Sequence, residues 1–230
     1  EGVNTSEAMV RGALTCNPYM GANFYCTNSF SLNGGNLVRW WLEQLQIQPD
    51  SQSVNYEHLV EEAFQSQRPV WVVPHFSGSG TPYMDPSAKG AFLGLTLASQ
   101  RRDLTMGLLQ SIAFEMALNL DNLREAGIPV HRVVACGGGA KNSRLLQLRS
   151  DVFNLPITAL ENEETGALAS AMLALNALIP SQPLSDLANR WIHFGLTVHP
   201  DRESAIRFSE RLAFYKQLYD SLKDLNREMV

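Results

Sequence analysis

Three consecutive glycines, Gly137–Gly139, close the apolar run "VVAC" and stand just before the helix-like stretch "NSRLLQL". Without a Cβ they accept positive φ and leave an approach face bare. Asn142 or Ser143 can cap the helix that follows, whose first amides stay unpaired. Together these features make a surface for an anion or a nucleotide. A tight strand-to-helix turn accounts for the same residues, and the spacing leaves both readings open. "NTSEA", at Asn4 to Ala8, offers a Thr5–Ser6 pair whose hydroxyls and amides suit phosphate oxygens, or an ordinary turn. "SLNGGNLVRWW" sets Gly34 and Gly35 before a helix with Trp40 and Trp41, which a turn and a pair of core tryptophans also explain. In "EETGALASA", Gly166, Ala167, Ala169 and Ala171 admit a close neighbour, by default another helix.

Other chemistries are excluded. No GxxxxGK[ST] occurs, so the glycine loop is not a Walker A motif. "GGGAKN" lacks the third Rossmann glycine, which speaks against a dinucleotide oxidoreductase. His58, His75, His131, His193 and His199 show no paired metal spacing, so no resident metal site is expected, and no Ser-His-Asp set can be assembled. Cys16, Cys26 and Cys136 contain no CxxC, which speaks against a disulfide framework or zinc and for a reduced, cytoplasmic setting. A net charge of −5 without a basic stripe argues against nucleic acid as partner. The longest apolar stretch, "ALASAMLALNALIP", is too short to span a membrane. The opening "EGVNTSEAM", with neither initiator Met nor signal peptide, is expected to be a cut from a longer protein.

The elements that must position these residues follow from periodicity. A chain of 230 residues, 45% hydrophobic and 18% charged, can bury a core as one large domain or two small ones. The first thirty residues read as short strands and turns. Leu37, Trp40, Trp41 and Leu45 predict a helix over Asn36 to Gln46, and "YEHLVEEAFQSQ" a second. "RPVWVVPHF" is β-rich and must stop at Pro74, which cannot donate to a ladder. "SGSGTPYMDPSAKGAFLGL" reads as turns only. Leu104, Leu108, Ile112, Met116, Leu120 and Leu123 predict one apolar face of a long helix. Then come a buried strand in "PVHRVVAC", a helix in "NSRLLQLRSDVFN", a strand in "LPITAL" and a helix in "EETGALASAMLALNAL". Phe208, Leu212, Tyr215, Tyr219 and Leu222 form the stripe of a last helix. Alternating strands and helices predict an α/β fold.

Taken together and in this order, the pieces resemble the C-terminal domain of the FGGY carbohydrate kinases, the relatives of xylulose kinase and glycerol kinase, almost end to end. The family has "GTS" where Asn4, Thr5 and Ser6 stand, and "NGG…W" at Asn33 to Trp40. It shares "TPYMDPSAKGAFLGL", "GGGAKNSRLLQLRSDVFNLPI" and "EETGALASAMLA", and the last two at this separation are the specific signal. The resemblance implies an actin-like ATPase (ribonuclease H-like) domain, a mixed sheet flanked by helices, that binds ATP with Mg2+ against an N-terminal sugar-binding domain. On this reading residues 1–230 are a single such domain and the N-terminal one lies outside the chain. Thr5 and Ser6 would face the β- and γ-phosphates. Gly35 and Arg39 would lie beside the nucleotide. Gly138, Gly139, Ala140, Asn142 and Ser143 would line its adenosine and α-phosphate side, with Gly166 and Ala167 packed behind. The aspartate that deprotonates the sugar hydroxyl is expected upstream, so no catalytic residue is assigned here. The chain would be half an active site, taking a sugar or polyol through the missing domain, with a homodimer open. Departures from the family are Asn4 for a glycine, "SGSGTP" at Ser77 to Pro82 where many members carry Gly-Glu-Arg, and Gly107–Leu108 in the long helix. They predict a divergent branch and a loosened loop. The alternative function is a non-catalytic nucleotide-sensing or interaction domain on the same scaffold.

Overall fold

Helix α4, Arg101–Glu125, is the axis of the first of two compact units, Glu1–Val130 with Arg207–Val230; the second is His131–Ile206. The computed structural model describes residues 5–19, 24–45, 54–162 and 164–229. Asn4 and Gln46 lie outside them. At the start of α4, Asp103 accepts from the Gln100 amide at 2.9 Å and from the Ser66 hydroxyl at 2.6 Å. The Ser66 bond, ahead of the opposing effect of burial, holds the Asp103 carboxyl below the usual carboxylate range.

Periodicity predicts one apolar face for α4, but the helix is buried nearly all round from Thr105 to Asn119, with Met116 the exposed exception. Other elements pack on several of its sides. Helices α2 (Gly35–Gln44) and α3 (Val54–Ala63) and strand β3 (Trp71–Val73) all contact it. The core joins Leu37, Trp41, Leu59, Val70, Val72, Leu108 and Ile112. The Trp41 indole donates to Thr105 Oγ1 at 2.9 Å. A Cβ on Gly107 would collide with the Val70 carbonyl oxygen, so the family departure at Gly107 is the seat on which the backbone entering β3 rests.

β3 ends before Pro74, as the sequence requires. It pairs antiparallel with β4, Ala91–Leu93, inside the segment predicted to be turns only. Three residues carry no readable period, and a distant partner makes the strand. Nor is the loop before β4 loose. The Ser79 amide donates to Asp85 O at 2.8 Å, and the fully buried Thr81 hydroxyl donates to Asn119 Oδ1 at 2.6 Å. At the N-terminal side, helix α1 (Glu7–Arg11) forms where strands and turns are predicted, and β1 (Asn17–Pro18) pairs with β2 (Tyr25–Cys26).

In the second unit, β5 (Val133–Ala135) pairs parallel with β6 (Ile157–Leu160), which pairs antiparallel with β7 (Phe194–Val198). This mixed sheet carries α5 (Ser143–Phe153) against β6 and β7. Ile157 and Ala159 are therefore buried, whereas β5 is an edge strand with Val134 42% exposed, not the buried strand its composition predicts. Helices α6 (Thr165–Leu178) and α7 (Leu184–Trp191) pack on each other. The last helix, α8 (Arg202–Glu228), puts Phe208 and Tyr215 against Phe114 of α4. Among the described residues no helix is long and apolar enough to cross a membrane.

Candidate functional site

The three glycines occupy the turn between β5 and α5. Gly137 has φ 76° and ψ −173°, a backbone state that a side chain would strain, so this position needs glycine. One 3-10 turn, Gly138–Ala140, follows, closed by the Ala140 amide on Gly137 O at 3.0 Å. Asn142 then caps α5, its Oδ1 accepting from the Leu145 amide at 3.1 Å. Ala140 is buried and anchors the turn, while Gly138, Gly139 and Ser143 are exposed. The two exposed glycines differ. A Cβ on Gly138 meets nothing within 4 Å, but one on Gly139 would lie 3.1 Å from the Arg149 guanidinium. Arg149 also donates from Nη1 to Gly139 O at 2.7 Å, which fixes the turn from behind. The open approach is thus at Gly138, beside the amides that start α5. Gly166 and Ala167, predicted to pack behind this loop, are both exposed, and a Cβ on Gly166 meets nothing within 4 Å.

The other predicted residues belong to the first unit. Ser6 is the N-cap of α1, its Oγ accepting from the Met9 amide at 3.2 Å, so the hydroxyl hydrogen remains available to an outside acceptor. Thr5 beside it is exposed. Gly34 caps α2, and a Cβ on Gly34 or Gly35 meets nothing within 4 Å. Arg39 lies four residues on from Gly35, on the same helix face, and is exposed. Both groups stand on α4. The Asn122 amide donates to Gly12 O at the end of α1 at 2.8 Å, and α2 packs on α4 through Trp41 and Thr105.

Sequence reasoning missed what holds these groups in place. Asn33, 3% exposed, donates to Gly78 O at 3.1 Å and ties the glycine pair of α2 to the "SGSG" loop. Along α4, Glu115, Asn119 and Asn122 form a buried polar ladder. Glu115 Oε1 accepts from Tyr215 OH at 2.8 Å and lies 3.2 Å from His75 Nε2. Asn119 Oδ1 takes the Ser29 and Thr81 hydroxyls at 2.5 and 2.6 Å. Polar residues at i, i+4 and i+7 inside an apolar helix were the available signal. Burial, followed by the Glu115 charge, raises the Tyr215 phenol well above its ordinary range. Burial first and then the bond to Asp85 push Tyr219 up to about 12. Among the described residues no group of three or more His, Cys, Asp or Glu could hold a metal ion.

These elements present amides and hydroxyls at loop ends. The model of the FGGY family of carbohydrate kinases, C-terminal domain, matches residues 2–178. The xylulose kinase of Bacillus subtilis (strain 168) is 33% identical over 153 residues, 66% of this chain and 31% of that protein. Glycerol kinase 1 of Clostridium tetani (strain Massachusetts / E88) is 33% identical over 170 residues, 73% of this chain and 33% of that protein. The crystal structure of xylulose kinase from Rhodospirillum rubrum aligns with TM-score 0.83 at 22% identity, over 97% of this chain and 45% of that one. Plasmodium falciparum glycerol kinase with ADP aligns with TM-score 0.66 at 22% identity, over 81% of this chain and 36% of that one. At those identities the structures speak for the fold alone, which is the α/β actin-like ATPase fold. The chain spans about a third of the length of the curated relatives it matches. It belongs to the FGGY family of carbohydrate kinases and carries that family's C-terminal domain.

Proposed function

We propose that this chain is the nucleotide-binding part of a cytoplasmic kinase that transfers the γ-phosphate of ATP to a hydroxyl of a sugar or polyol. The observation that carries the reading is the bare turn at Gly138, fixed from behind by Arg149 and followed at once by the capped start of α5. Backbone amides held this way need no reorganisation when charge moves on a phosphate. Gly138, Gly139, Ala140, Asn142 and Ser143 take the adenosine and α-phosphate side. In the first unit, the Thr5 and Ser6 hydroxyls are suited to donate to phosphate oxygens, and Arg39 with the open face at Gly35 is suited to a nucleotide. Mg2+ would enter with the nucleotide and would offset the charge on its phosphates.

The acceptor and its base come from outside these 230 residues, in a domain that closes on this one and excludes water. Membership of a kinase family favours this reading over a non-catalytic sensor. The chain alone is expected to bind ADP weakly and to show no sugar-dependent ATP turnover. A protein of the relatives' length should phosphorylate one of a panel of ketopentoses and polyols. Gly138→Val, which meets open space, should weaken ADP at least tenfold in calorimetry while the melting temperature without nucleotide stays put. Unchanged ADP affinity in that variant would reduce the loop to a turn, and sugar-dependent turnover by the chain alone would refute the division of labour.

A further inference from the structure

The first unit contains a cavity of about 290 Å³ that none of the proposed nucleotide residues line. It lies between the end of α1, the turn after Pro82, the last turns of α4, and α8. Asn122 fixes one wall: it donates to Gly12 O at 2.8 Å, and a Cβ on Gly12 would collide with its side chain. The lining charges balance, with Arg11 and Lys216 against Asp121 and Glu125. Asp121 is already paired, with Lys216 at 2.9 Å and Arg124 at 2.8 Å. A net anion or cation therefore finds no field that selects it. Leu118 and the Tyr83 ring supply apolar wall between the polar groups. Tyr83 is held in place by stacking on Tyr219, with ring centroids 3.7 Å apart.

We infer that this cavity binds a small neutral polyhydroxylated molecule, a sugar or polyol, at a site separate from the one that receives phosphate. Each hydroxyl both donates and accepts, so a polyol can meet alternating ammonium, guanidinium and carboxylate groups without leaving any unpaired. Its C–H faces fit against Leu118 and Tyr83. The volume is at the lower end for ligand pockets, which suits a molecule of a few carbons. α1 is five residues long and runs from Ser6 to this wall, so an occupant touches the element that presents the proposed phosphate hydroxyls. The choice of ligand class rests in part on the kinase reading, but the residues do not overlap.

The test is calorimetric titration of the protein with glycerol, xylitol and D-xylulose, without nucleotide. Saturable binding is expected at about 1–10 mM. It should weaken at least tenfold in the Arg11→Ala/Glu125→Ala double variant and in Ala8→Trp, which fills the cavity, and persist in Gly138→Val. Arg11 and Glu125 are exposed, so the double variant should fold normally. No saturable binding, binding indifferent to the cavity variants, or tighter binding of inorganic phosphate or glycine than of xylitol would each refute the site. Loss of ADP in Gly138→Val with cavity binding unchanged would show the two proposals standing independently.

Discussion

Two glycines look alike in the sequence and do opposite work. Gly107 is filled space: β3 lies so near that any Cβ meets the Val70 carbonyl oxygen, with the Val70 and Val72 side chains 3.0 and 3.1 Å from it. Gly107→Ala should therefore destabilise the fold by about 1–3 kcal/mol, because overpacking against backbone cannot be relieved by a rotamer change. Chemical denaturation measures this, and an unchanged midpoint would show that α4 does not sit against β3 as described. Gly138 is open space, where an added side chain should alter ligand affinity and not stability. The sequence shows a glycine at both positions. Only the neighbours, thirty-five residues or more away in the first case, separate the two roles.

At the scale of elements, α8 is attached by buried phenols as much as by apolar packing. Tyr215 donates to Glu115, Tyr219 donates to Asp85 at 2.8 Å, and Arg211 stacks 4.2 Å from the Trp71 ring centroid. Tyr83, Tyr215 and Tyr219 all have raised pKa values, with burial the first cause in each. A raised phenol pKa means that folding favours the neutral form. Its stabilisation is intact below about pH 10, the unfolded value, and is lost as pH rises toward the folded values. For Tyr219 that window closes at about 12. Helical circular dichroism should fall as pH rises above about 10; helix content unchanged through pH 12 would contradict the attachment. Tyr215→Phe should cost about 1–3 kcal/mol, since it leaves a buried carboxylate short of a donor. The apolar stripe of α8 was readable as period. Its polar partners were not, because Glu115 and Asp85 lie 100 and 134 residues away.

For the whole molecule, nucleotide that binds only the folded chain must stabilise it by mass action. ADP at a hundred times its dissociation constant should add about 2.7 kcal/mol. Thermal melts should show that gain in the natural protein and reduce it to about 1.4 kcal/mol or less in Gly138→Val; an equal gain in both would place the nucleotide elsewhere. The sequence by itself determined the family, the α/β alternation and the second-unit helices α5 and α6. Local physics writes these plainly: a cap at Asn142, a helical period, and three glycines between strand and helix. It also placed three glycines at a strand-to-helix junction, readable as an anion surface or as a tight turn. It did not reveal α1, whose cap Ser6 looks like any turn serine, nor β4, which exists only because β3 lies alongside. It misjudged α4 as one-sided and β5 as buried, since burial depends on how many elements pack around a segment and not on its own hydropathy. The tertiary structure alone decided which glycine is open and which is filled, and where the buried polar ladder of α4 finds its partners. Those outcomes depend on contacts between residues far apart in the chain, which no local pattern encodes.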